Sequence, residues 1–329
     1  MSTVESRPPL SSWLTTLTIV VSSASNRVYP NARQQVEVTV VVEPLMSQTV
    51  NPDELASVKL MVRDALGHLL PLPEDNGAPW FFSHQRNAYI EYPGARDTVL
   101  SDGGTNEVSS VYTRKFYVMA SKTADIGQSL ETLYVGITRH IAQGKYDYIT
   151  DGSESGFSST TEVRTAEIPN FQVPGNYTFE RMLIAGNGDS DVFTWQYALA
   201  GANVQQPVVG FVSASMEPAG MIQWDDRDPS VTRASHVGYA APGATVVQYN
   251  TAIRLGSVFQ PLTQLENPKK GYVLLVLQGG NTIPYHSQSA INHNGPCVIN
   301  AVDVYGNNHQ LQIRFKDSSA QGRHELMLS

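Results

Sequence analysis

Arg33-Gln-Gln-Val-Glu-Val-Thr-Val-Val-Val42 is the stretch that decides the fold class. Val36, Val38, Val40 and Val42 fall on one face of an extended chain, and Glu37 and Thr39 on the other. That is the period of two of a half-buried strand. Pro44 stops the run, because proline cannot donate to a strand ladder. Upstream, Leu17-Thr-Ile-Val-Val21 is a β-branched run ended by Ser-Ser-Ala-Ser-Asn26. Downstream, Val58, Leu60 and Val62 alternate with Lys59, Met61 and Arg63. Asp64-Ala-Leu-Gly-His68 then turns the chain into Leu69 and Leu70.

These strands resemble the immunoglobulin-like modules of bacterial surface and adhesion proteins. The matching residues are Leu17 to Val21, the turn region Asn26 to Asn31, Val36 to Val42, and Asp64 to Gly67. Where such modules carry an Asn-Gly turn, this chain has Asn31-Ala-Arg33. The resemblance implies an immunoglobulin-like sandwich at the N-terminus and an adhesive role.

Composition points the same way along the whole chain. Of 329 residues 41% are hydrophobic and only 16% charged, against roughly 25% charged in an ordinary soluble domain. Long surface helices carry many Glu and Lys, so their scarcity favours strands. The net charge is −8 with a pI near 5.5, and no basic block is present. That argues against a protein that grips phosphate backbones or an anionic membrane surface. No segment approaches the roughly 18 apolar residues that span a bilayer. The N-terminal Met-Ser-Thr-Val-Glu-Ser-Arg-Pro-Pro lacks the features of a Sec signal. The expectation is synthesis in the cytosol, with any extracellular or particle-associated role reached by a non-Sec route. The single cysteine, Cys297, forbids an intrachain disulfide and reads as a small buried hydrophobe.

Residues 71 to 110 are dense in turn signals: Pro71, Pro73, Asn76-Gly77, Pro79, Pro93-Gly94 and Asp102-Gly-Gly104. A second unit is expected to start near Val108, with strands at Arg114 to Met119, Leu133 to Ile137, Tyr146 to Ile149 and Thr161 to Ile168. Ser121 to Ser129 joins two of them, and Thr150 to Thr161 reads as a flexible loop. Pro169 to Gly175 is the best linker. Beyond it strands are expected at Tyr177 to Ile184, Val192 to Leu199, Val208 to Val212, Met221 to Trp224, Ala244 to Tyr249 and Tyr272 to Leu277. Val298 to Tyr305 and His309 to Phe315 flank Gly306-Asn307-Asn308, a strong hairpin signal, and Glu325 to Leu328 reads as a last strand. The architecture expected is all-β, with tandem β-sandwich domains at 1–107 (immunoglobulin-like), 108–172 and 173–329.

No catalytic motif stands out. Gly152-Ser-Glu-Ser-Gly156 has Glu154 where a nucleophile elbow needs serine. Asn187-Gly-Asp189-Ser-Asp191 opens like a calcium loop, but Val192 and Ala198 occupy the sixth and twelfth positions. It reads better as an exposed hairpin turn. The eight histidines lack the spacing of a zinc helix, although His286 and His293 lie near each other. Asp225, Asp226 and Asp228 crowd three carboxylates after a strand that ends in Trp224. They would bind Ca²⁺ or cap the strand end with solvated charge. Trp80, Phe81 and Phe82, in a Pro/Gly-rich stretch where they form a possible short strand, must bury against a core or serve with Trp224 as a contact platform.

The function these features favour is non-enzymatic: a bacterial or phage binding or structural protein. It would act through sandwich loops and aromatic contact surfaces without a cofactor. Its partner would be a protein or glycan surface, or copies of itself. A self-assembling virion or tail-like particle subunit stays open. So does a glycan-active enzyme, whose carboxylates would come from distant positions.

Overall fold

A computed structural model of the chain describes residues 7–74, 77–93, 111–122, 124, 130–202 and 208–329. Among the described residues strand accounts for 46% and helix for 6%, so the all-β expectation is met. Contacts divide the chain into two compact units, Met1–Ile168 and Pro169–Ser329.

The first unit carries β1 (Leu14–Val21), β2 (Arg27–Val28), β3 (Val36–Pro44), the one-turn helix α1 (Pro52–Ala56), β4 (Lys59–Arg63) and β5 (Leu69–Pro71). It continues with β6 (Trp80–Ser83), β7 (Tyr112–Ala120), β8 (Leu130–Ile141), β9 (Gly144–Ile149), β10 (Asp151–Glu154), β11 (Phe157–Ser158) and β12 (Thr161–Thr165). One sheet has the order β1-β3-β7-β6, all antiparallel. The other runs β2-β12-β8-β4-β5, with β9 also on β8 and a parallel pairing of β2 with β12. The four valines of β3 face inward and meet Leu60 of β4 and Leu133, Val135 and Ile137 of β8 in one cluster. Two sheets closing over one apolar layer make a β-sandwich.

α1 starts where the local chemistry dictates. The Asn51 side chain accepts from the Glu54 amide, and the Glu54 carboxylate accepts from the Asn51 amide, both at 2.9 Å. Pro52 occupies the first helical position, where its missing N–H costs nothing. The other Glu54 oxygen accepts from the His140 amide at 2.8 Å, which pins the turn to β8.

Two expectations are corrected in this unit. Residues 108–168 do not form a domain of their own: β7 lies between β3 and β6, β8 pairs with β4, and β12 pairs with β2. The boundary expected at 107/108 lies outside the described residues, as do Asn76, Gly94, Asp102-Gly-Gly104 and most of Ser121 to Ser129. Thr150 to Thr161 is not a loop but carries the hairpin β10–β11. Trp80-Phe-Phe82 is the short strand that the stretch allowed. It forms a sheet edge, and the three side chains are only 4%, 4% and 6% exposed.

The second unit comprises β13 (Tyr177–Gly186), β14 (Phe193–Gly201), β15 (Phe211–Glu217), β16 (Ile222–Trp224), β17 (Ala234–Ala240) and β18 (Val273–Gly280). The short helix α2 (Ser287–Asn292), β19 (Cys297–Asp303), β20 (Asn308–Phe315) and β21 (Leu326–Leu328) complete it. The sheets are β13-β14-β18-β17-β16 and β15-β19-β20-β21, both antiparallel. Between them pack Phe193, Tyr197, Val237, Leu275 and Leu277 from one side and Phe211, Cys297, Ile299, Leu311 and Ile313 from the other. The outer face of the larger sheet is also covered: Ala240, Leu274 and Val276 pack under Val247 and Leu265. Every residue of β17 and β18 is therefore buried. The β19–β20 hairpin turns where expected. Gly306 takes φ +88°, and Asp303 accepts from the amides of Tyr305 (2.9 Å) and Asn307 (2.8 Å). Ala244 to Tyr249 makes only isolated bridges instead of a strand.

Because β7, β8 and β12 complete sheets begun by β1 to β6, a fragment ending at residue 107 should lack a cooperative thermal transition. Fragments 1–168 and 169–329 should each melt cooperatively. Calorimetry on the three fragments checks this, and a cooperative melt of 1–107 would refute the sheet order.

Candidate functional site

Four segments of the second unit meet at the end of β16. Trp224 donates its indole N–H to the Ile283 carbonyl at 3.2 Å and stands edge-on to Tyr285, ring centroids 5.5 Å apart. The Gln223 amide donates to the carbonyls of Asp317 (2.9 Å) and Ser319 (3.1 Å). The Ile222 amide donates to the carbonyl of His293, just past α2, at 2.7 Å. These segments enclose a cleft of about 330 Å³, lined among others by Trp224, Asp225, Asp226, Arg227, Tyr285 and Asn294.

Asp225 anchors the cleft wall. Arg323, only 1% exposed, donates from Nε to Asp225, from Nη2 to Asp191, and from Nη1 to the Ser235 hydroxyl at 3.0 Å. Arg233 reaches the second oxygen of Asp225 at 2.8 Å and Asp191 at 3.6 Å. Two guanidinium groups thus balance two carboxylates. The network ties the β13–β14 turn, the ends of β16 and β17, and the 3₁₀ turn Gly322–His324. Charge-assisted bonds of this kind are strong when every partner is matched.

The three aspartates, read either as a Ca²⁺ site or as a solvated cap on the strand end, do not converge on one point. Asp225 belongs to the two arginines. Asp226 accepts from the Arg227 amide at 2.6 Å. Asp228 accepts from the Ser230 hydroxyl and amide, both at 2.7 Å, and these bonds hold its carboxyl below the usual range. Among the described residues no group of three or more His, Cys, Asp or Glu side chains is placed to hold a metal ion. Asn187 to Asp191 is the β13–β14 turn, in which the Asn187 side chain accepts from the Asp189 amide at 3.1 Å. Trp224 is buried apart from the part that lines the cleft, and Trp80, Phe81 and Phe82 lie inside the first unit. Of the two readings of Trp80, Phe81 and Phe82, burial against a core is the one found, and none of the four aromatic positions is exposed as a platform.

His286 and His293 serve separate ends of α2. His286 Nδ1 accepts from the Ser289 amide at 3.2 Å as the helix cap, while His293 meets the Asn250 amide at 3.3 Å. Cys297 is buried, and burial pushes its thiol up to about 12, so it acts as a small hydrophobe rather than a nucleophile.

Sequence reasoning missed one polar chain altogether. Asp303, fully buried, meets His309 Nε2 at 3.2 Å, and His309 Nδ1 meets the Tyr177 hydroxyl at 2.9 Å. Asp303 already accepts from two backbone amides and from the Asn307 side chain. The acceptor-only Asp303 carboxylate accepts from the Nε2 proton, and in the neutral imidazole Tyr177 donates to Nδ1. Burial, helped by the Asp303 charge, pushes the Tyr177 hydroxyl up to about 12. The order Asp-His-hydroxyl matches a nucleophile relay, yet its last member is held protonated and tied. The chain fastens the start of β13 to the β19–β20 hairpin.

His236 of β17 is the opposite case. It is fully buried, stacked on Tyr249 at 4.7 Å and beneath Phe259, and neither ring nitrogen has a hydrogen-bond partner. Burial lowers its pKa to about 3.

No protein-family model matches the chain, and no curated protein matches it either.

Two outcomes follow from these polar groups. Arg323→Met leaves Asp191 and Asp225 with half of their counter-charge and should lower unfolding free energy by about 3–5 kcal/mol in urea titrations. A loss below about 1 kcal/mol would show the network to be incidental. For His236, the unfolded chain takes up a proton near pH 6.5 and the folded chain only near pH 3. Between those values the unfolded state holds the extra proton. Stability is thus fully present above pH 6.5 and falls as the pH drops, by about 1.4 kcal/mol per pH unit from this group. Urea titrations from pH 7 to 4 should show a shallower decline for His236→Leu than for the wild type, and parallel declines would contradict the assignment.

Proposed function

We propose that the chain is a non-enzymatic binding or structural protein, bacterial or phage in origin, that works through contact surfaces on its β-sandwich units. The carrying observation is the edge strand β13. From Glu180 to Gly186 its residues are exposed on both faces, with Met182 at 59% and Leu183 and Ile184 beside it. Among the described residues no strand lies on its outer side. Edges of this length are ordinarily blunted by lysine, proline or bulges. β13 has no lysine or proline; Glu180, Arg181 and one register shift between Leu183 and Ala185 blunt parts of it, and the exposed apolar run Met182-Leu-Ile184 is the part that offers a template on which a partner strand can add. The resemblance of residues 17–67 to bacterial surface modules and the low charge density support the same reading.

The same edge also favours the second reading, a self-assembling virion or tail-like particle subunit, if the partner is a copy of the chain. Size-exclusion chromatography with light scattering separates the two. The binding reading expects a monomer that binds bacterial cells saturably, with binding weakened at least tenfold in the double variant Met182→Lys, Ile184→Lys. Ordered multimers that this variant dissolves would favour the particle subunit, and turnover of glycans by the purified chain would replace both readings with an enzyme.

A further inference from the structure

We propose that the cleft at the end of β16 binds a neutral polyhydroxylated ligand, a sugar unit, held by Arg227, Asn294, Asp226 and Tyr285. This rests on the binding reading above and gives it a second, separate contact site.

The cleft has the properties of a preformed pocket. Its volume of about 330 Å³ lies at the lower end of small-ligand sites, roughly 300–1,000 Å³. Its walls are fixed by bonds made away from the open space: Gln223 to two carbonyls of residues 317–319, Trp224 to Ile283, and Asp225 to Arg233 and Arg323. A ligand would therefore lose little to ordering the site.

The groups left facing the cleft set the ligand class. Arg227, Asn294, Tyr285 and Asp226 line it; among the described residues the Arg227, Asn294 and Tyr285 side chains make no hydrogen bond, and Asp226 uses one oxygen, on the Arg227 amide. Donors and acceptors are thus presented together, as hydroxyl groups require because each donates one bond and accepts others. Charge selects against ions. Asp225 is matched by its two arginines, which leaves one free carboxylate beside one free guanidinium. An anion would face Asp226, and a cation would face Arg227. Half-buried Tyr285, braced edge-on by Trp224, adds an aromatic surface against which the C–H face of a pyranose can pack.

Saturation-transfer-difference NMR on the full chain tests this, with millimolar glucose, galactose, mannose and N-acetylglucosamine as probes and inorganic phosphate followed in parallel by phosphorus NMR. Arg227 and Asn294 are exposed, so Arg227→Ala and Asn294→Ala should keep the fold. The expected result is transfer to at least one sugar, reduced at least fivefold in both variants and unchanged in Lys145→Ala of the first unit. Absence of transfer to all four sugars overturns the proposal, as does equal transfer in the cleft variants or binding of phosphate in place of sugar. Failure here leaves the β13 experiment untouched, since Met182 and Ile184 take no part in the cleft.

Discussion

Burial of both faces of β17 and β18 is the constraint on which the second unit depends. A strand covered on two sides cannot alternate apolar with polar, which is why Val273-Leu-Leu-Val-Leu277 runs without interruption. The outer cover, drawn from residues 241–272 and 281–294, must come close to the strand backbone. A Cβ on Gly238 would stand 2.3 Å from the Tyr249 ring, so only glycine lets that ring lie across β17. The same cover carries Tyr285 and α2, and so builds one wall of the cleft. Remove the cover, and the large sheet loses its outer apolar layer and its pocket together.

With few charges to spend, the chain places its buried polar groups in two contrasting ways. Arg323 is sealed but matched on all sides, by two carboxylates and a hydroxyl. His236 is sealed and matched by nothing but rings. The first arrangement draws distant segments together and resists disturbance, because any one deletion strands its partners. The second leaves a titratable group in an apolar layer, where the cost of protonation is carried by the whole fold.

What was legible in the sequence was local. The valines of β3, the Gly306 turn and the segment after Ile168 all announce themselves within a few residues, through periodicity or turn chemistry. β17 did not, because Ala234-Ser-His-Val-Gly-Tyr-Ala240 mixes small and polar residues and has no exposed face to reveal a period of two. Trp80-Phe-Phe82 was legible only as a possible short strand, because the prolines and glycine around it suggest a loop, while both of its faces are in fact covered. The place of β7 between β3 and β6 is a pairing between remote segments, and no local pattern encodes it. The cleft was half visible. Trp224, Asp225 and Asp226 could be picked out, but Arg323, which neutralises Asp225, sits in an unremarkable Gln-Gly-Arg-His stretch near the C-terminus.

The strand order of the first unit also bears on how the chain is born. β2, with Arg27 and Val28, is partnered by Arg164 and Thr165 of β12, the last strand of the unit, and β3 waits for β7 to cover its free side. A chain leaving the ribosome from its N-terminus can pair β3 with β1 at once, but it carries the second edge of that valine-rich run open until most of the unit has been made. Contacts of such large sequence separation close slowly, and an uncovered β-prone segment is the kind that pairs with neighbouring chains on the same polysome. The burden of reaching the native state falls on the interval between synthesis of β3 and synthesis of β12.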